Sequence, residues 1–137
     1  MKLSIQPQTL IDQLGLEKAY QEIRKAGFEA IDWNLDCDWN FRKILTAETL
    51  SELCVFEKST EDILAHYAEE LEQIRANGLT ITQALAPAPC YEEGREDILE
   101  YSIGIYKNLI RLCQAVGCRN LVIRGISITK EIGRAHV

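Results

Sequence analysis

A chain of 137 residues with 47% hydrophobic and 26% charged side chains has the make-up of one globular domain with a buried core, which excludes a disordered chain. A formal charge of -6 and a pI near 5.0 exclude a surface built to neutralise a phosphate backbone, so the expected partner is a small molecule and not a nucleic acid. No run reaches the ~18 apolar residues of a membrane span, and MKLSIQPQ lacks the basic start and apolar core of a signal peptide, so no membrane partner and a cytoplasmic location are expected.

The stretch KLSIQ opens the chain as a strand. Leu16, Ala19, Tyr20 and Ile23 then share one face of a helix that runs to Gly27, and EAIDWNL follows as a second strand. After one long insertion, DCDWNFRKILTAETLSELCVFEK, a second helix is marked by Ile63, Leu64, Tyr67, Leu71 and Ile74; it stops at Gly78 before the strand LTITQAL. Ile98, Tyr101, Ile105, Leu109, Leu112 and Val116 mark a third helix, which stops at Gly117 before the strand NLVIRGI. Glycine takes up the left-handed conformation that ends a helix without steric cost. Ser59 and Thr60, ahead of Glu61 and Asp62, supply capping hydroxyls and negative charge at the positive helix end. The remaining carboxylates of AHYAEELEQ read as a solvated face and His66 as a surface residue.

The order β-α-β-α-β-α-β with helical crossovers implies an α/β fold with a parallel sheet. Two architectures satisfy it, a doubly wound sheet and the N-terminal half of a (β/α)8 TIM barrel. A nucleotide-binding doubly wound sheet wants a glycine-rich turn after its first strand, but QPQTLIDQLG contains neither GxGxxG nor GxxxxGK[ST]. The barrel is favoured by that absence, and since a whole barrel takes about 250 residues, this chain is expected to hold about half of one. The five cysteines (Cys37, Cys54, Cys90, Cys113, Cys118) form no CxxC pair, so they read as reduced thiols packed as small hydrophobes, with a zinc site on Cys113 and Cys118 the lesser alternative.

With the strands placed, KLSIQ, AGFEAIDWNL, VFEKSTEDILAHYAEELEQIRANGLTITQA and IYKNLIRLCQAVGCRNLVIRG, in that order and spacing, resemble the N-terminal half of a sugar phosphate isomerase/epimerase of the xylose-isomerase-like TIM-barrel family. The likeness covers about Met1 to Ser127. It implies a divalent metal (Mn, Mg, Zn or Co) in the barrel mouth of the full-length protein and transfer of a proton between neighbouring carbons of a sugar or keto-polyol. It also implies that the metal ligands come from strands five to eight, so that none is expected in this fragment. Relatives often carry a His two residues before Pro87 and another directly before Gly125; here these positions are Leu85 and Arg124.

Barrel sites lie at the C-terminal ends of strands. Alternation along EAIDWNL puts Ala30, Asp32 and Asn34 on the inward face and Ile31, Trp33 and Leu35 on the face toward the helices. Asp32 is the foremost candidate: it accepts sugar hydroxyls or serves as a base, or else it is a structural carboxylate satisfied by N–H groups or by Arg124. Asn34 fits hydroxyl recognition or support of the turn, and Gln6 and Gln83 fit polyol binding or buried hydrogen bonding. Arg124 offers a planar fork to a phosphate or carboxylate, or pairs internally with Asp32. Trp39 and Phe41, in the long insertion, would stack on a sugar face as part of a lid, or simply pack against the barrel rim. The described pattern contains no His/carboxylate metal cluster and no Ser/His/Asp set.

The last six residues, IGRAHV, are what one frame of a common sequencing-library adapter encodes, and the next adapter triplet is a stop. Residues 1–130 are therefore expected to be a partial barrel domain and residues 131–137, with His136, a non-native tail. The expected protein is a truncated sugar isomerase or epimerase, inactive without its other half. The alternatives are a non-catalytic sugar-binding or regulatory barrel, and a half barrel that self-associates because its open sheet edges invite pairing.

Overall fold

The computed structural model describes residues 2–89 and 91–125. Cys90 and the expected tail 131–137, His136 included, lie outside the described residues. The three helix-ending glycines all adopt positive φ, 93° at Gly27, 65° at Gly78 and 75° at Gly117, and an apolar strand follows each of them. The strands are β1 (Ser4–Ile5), β2 (Ala30–Asn34), β3 (Thr80–Leu85) and β4 (Leu121–Val122). They form one all-parallel sheet in the order β1-β2-β3-β4, so the molecule is α/β as the alternation requires. A doubly wound sheet reverses its strand order at a switch point. The described strands run in sequence without a reversal.

The helices are more broken than the sequence pattern predicts. QPQTLIDQLG, expected as a turn, contains helix α1 (Gln8–Leu14), and Gly15 at φ 83° separates it from α2 (Leu16–Lys25). The long insertion holds two short 3-10 turns, Asp36–Asp38 and Val55–Glu57, and helix α3 (Phe41–Thr46). The second expected helix divides at Tyr67 into α4 (Thr60–His66) and α5 (Ala68–Ala76). The division coincides with burial of the Tyr67 ring, edge-on to Trp33 at 5.2 Å and stacked on Phe56 at 6.3 Å. Ser59 caps α4 as expected, its hydroxyl accepting from the Asp62 N–H. Helix α6 (Glu96–Ala115) is continuous and buries Ile98, Ile105, Leu109 and Leu112.

Those stripes meet one face of the sheet, where Ile31, Trp33, Leu35 and Ala84 are at most 1% exposed. The opposite face, carrying Ser4, Asp32, Asn34, Thr82 and Gln83, is half-buried to exposed. Among the described residues the two outer strands are two residues long, shorter than KLSIQ and NLVIRGI suggested, and each pairs with a neighbour on one side. Cys113 and Cys118 are buried in the core, and burial, with the neighbouring Cys118 thiol, pushes Cys113 up to about 12, so it packs as a neutral thiol. Among the described residues no helix is long and apolar enough to cross a membrane.

Candidate functional site

Alternation along β2 fixes the site. Because Ile31, Trp33 and Leu35 turn into the core, Asp32 and Asn34 face the other way at the C-terminal end of the strand. In β3 the register slips by one residue, pairing Ile31 with Ile81 but Asp32 with Gln83. This bulge sets the two polar side chains abreast.

Gln83 donates from Nε2 to Asp32 Oδ2 at 3.1 Å, while Asp32 Oδ1 is buried and has no hydrogen-bond partner among the described residues. Burial raises the Asp32 carboxyl above its usual range, and the Gln83 bond pulls it back only in part. A carboxylate in this state lacks a donor. Toward the start of the strands, the Ser4 and Thr82 hydroxyls approach to 3.3 Å on the same side of the sheet.

The other expected residues are placed as follows. Asn34 Oδ1 accepts from the Asp36 N–H at 3.0 Å, which is the turn-supporting role. Gln6 Oε1 accepts from the Gln8 N–H at 2.9 Å, tying it to the start of α1. Arg124 does not pair with Asp32; its Nη2 lies 2.9 Å from Asp36 Oδ2. Asp36, two residues beyond the strand, is the nearer carboxylate because Asn34 turns the chain there, and its Oδ1 accepts from the Ala88 N–H at 2.9 Å. Trp39 is packed between the main core and a smaller cluster around Ile44 and Ile98, its ring stacked on Tyr101 at 6.4 Å and its Nε1 buried without a partner among the described residues. This is the packing against the rim that the sequence offered beside the lid. Phe41 is 46% exposed, and Leu85 is half-buried opposite Asn34.

Several polar residues escaped the sequence reading. Glu70, assigned there to a solvated face, accepts from the Tyr20 hydroxyl at 2.7 Å and from Trp33 Nε1 at 3.0 Å. The break at Tyr67 shifts the helical face, which a continuous periodicity could not reveal. Glu57 accepts from the N–H groups of Glu52, Leu53 and Cys54 and from the Tyr101 hydroxyl. Burial alone would raise the Glu57 carboxyl, but these donors outweigh it and hold it below its usual range. Tyr67 donates to Asp38 Oδ2 at 2.5 Å, and His66, exposed as expected, lies 3.9 Å from the same oxygen.

Among the described residues no group of three His, Cys, Asp or Glu side chains could hold a metal ion. No family model, curated protein or solved structure matches the chain.

Proposed function

We propose that this chain is the N-terminal half of a (β/α)8 barrel of the sugar isomerase/epimerase type, with a polyol-binding mouth on the open face of the sheet. Sequential strand order with one helix-covered face supports the barrel. The observation that carries the site is Asp32, whose Oδ1 is buried, at a strand end and without a partner among the described residues. In this reading a ligand hydroxyl donates to Oδ1 while Gln83 keeps Oδ2 in place. A carboxyl held above its usual range is also suited to take up and return a proton during isomerisation. A divalent metal bound by further strands would supply polarisation of the ligand carbonyl, and no step assigned to Asp32 or Gln83 passes through it.

The test is titration with a panel of unphosphorylated pentoses and hexoses, watching the Gln83 side-chain amide by nuclear magnetic resonance. Asp32→Ala, which removes both acceptor oxygens, is expected to abolish binding while the protein stays folded. Unchanged binding by that variant would sink the reading. Metal-dependent turnover by a protein carrying all eight strands separates an enzyme from a non-catalytic sugar-binding or regulatory barrel.

A second reading, self-association of the chain, is favoured by where apolar surface is exposed: Leu3 (61%) beside β1, and Ile110 (55%) and Ile123 (45%) on the flank of α6 and β4. Mass in solution tests it, since a concentration-independent monomer excludes it.

A further inference from the structure

Asp36 is fixed on three sides. Its backbone N–H donates to Asn34 Oδ1 at 3.0 Å, its Oδ1 accepts from the Ala88 N–H at 2.9 Å, and its Oδ2 meets Arg124 Nη2 at 2.9 Å. Two of these bonds are to backbone or turn partners, so contacts other than the ion pair hold the carboxylate beside the guanidinium. In the three residues that follow each described strand, Gln6–Gln8, Leu35–Cys37, Ala86–Ala88 and Ile123–Gly125, the only charged side chains are Asp36 and Arg124. Asp32 adds a second carboxylate within β2. This part of the mouth thus sets one cation against two carboxylates, and the cation is already paired.

From this balance we infer that Asp36 is a specificity-determining residue that closes this part of the mouth to anionic ligand groups, so that what meets β2 to β4 is the neutral, hydroxyl-bearing part of a polyol and not a phosphate ester. The inference rests on the polyol-binding reading above and narrows its substrate class. The physical reason is competition. An incoming phosphate would have to displace a carboxylate that is already in position and then sit near Asp32, whereas a neutral polyol needs only hydroxyl contacts. Arg124 keeps a positioning role, joining the turn after β2 to the end of β4.

The decisive substitution is Asp36→Asn, whose amide oxygen still accepts from Ala88 while the charge that neutralises Arg124 is removed. Wild-type chain and variant are titrated with fructose, its phosphate ester and inorganic phosphate, and the side-chain N–H resonances of Gln83 and Arg124 are followed. For the wild type, fructose is expected to shift Gln83, the ester to bind no tighter than fructose, and inorganic phosphate to leave Arg124 unmoved. Asp36→Asn is expected to tighten the ester by about tenfold, as removal of one nearby charge allows, with fructose affinity unchanged. Adding Arg124→Gln to that variant should remove the gain, and thermal melting of each protein verifies the fold. Tighter binding of the ester by the wild type, or no gain in Asp36→Asn, overturns the inference alone. Absence of binding by every probe to wild type and variants overturns the polyol reading beneath it.

Discussion

The two faces of β2 are one residue apart in sequence and differ in what they leave unfinished. On the helix side, Trp33 is 1% exposed and its Nε1 donates to Glu70, which also takes the Tyr20 hydroxyl, so both of these donors have a partner. On the open side, Asp32 has one donor among the described residues for its two oxygens, and the other oxygen is buried. Satisfied polar groups inside a protein stabilise it, and an unsatisfied one costs stability and calls for a reason. The contrast separates the two kinds of carboxylate more clearly than composition does.

The largest test of that contrast is Trp33→Ala, which empties the centre of the helix side; a loss of about 3–5 kcal/mol is expected from urea unfolding. Glu70→Leu comes next, because it leaves the Tyr20 and Trp33 donors buried without an acceptor, at a cost of about 2–3 kcal/mol. Glu57→Gln should cost about 1–2 kcal/mol at neutral pH and also flatten the acid limb of stability. Its sign follows from the lowered folded pKa: the stabilisation is present above the unfolded carboxylate range and is lost as pH falls through the folded value.

Asp32→Asn should go the other way. The Asp32 carboxyl is raised in the folded chain, so its contribution is full below the unfolded value and is lost as pH rises through the folded one. Removing the charge is therefore expected to raise neutral-pH stability by about 1 kcal/mol, discounted for partial exposure, or roughly 4 °C in Tm. A lower Tm would mean that Asp32 belongs with Glu70 as structure. The smallest effect on stability, within about 0.5 kcal/mol, is expected for Ile110→Lys and Ile123→Lys, yet these should reduce any self-association seen by sedimentation. Unchanged mass would place the association elsewhere.

Legibility in the sequence followed the range of the interactions. Gly27, Gly78 and Gly117 and the Ser59 cap act within a few residues, and all four stand as the sequence predicts. The alternation of EAIDWNL gave the two faces of β2 because its period belongs to the strand itself. The partner of Arg124 was not legible: choosing between Asp32 and Asp36 depends on the turn that Asn34 makes, which brings Asp36 within 2.9 Å. Glu70 was misplaced for a similar reason, since the division of the helix at Tyr67 rotates its face and leaves no mark in the periodicity. Trp39 had an ambiguous neighbourhood, and only the Tyr101 ring, 62 residues further along, decides it.

The extra residue in β3 ties together two properties that protein chemistry usually alters separately. Without the slip, Asp32 would stand opposite Thr82 and the bulk of Trp33 opposite Gln83; with it, Gln83 serves Asp32 and the small Ala84 makes room for the indole. Point changes at Thr82 leave that arithmetic intact, whereas deleting it re-deals every later pairing at once. Along this strand, descendants of the sequence are free to vary by substitution but not by length.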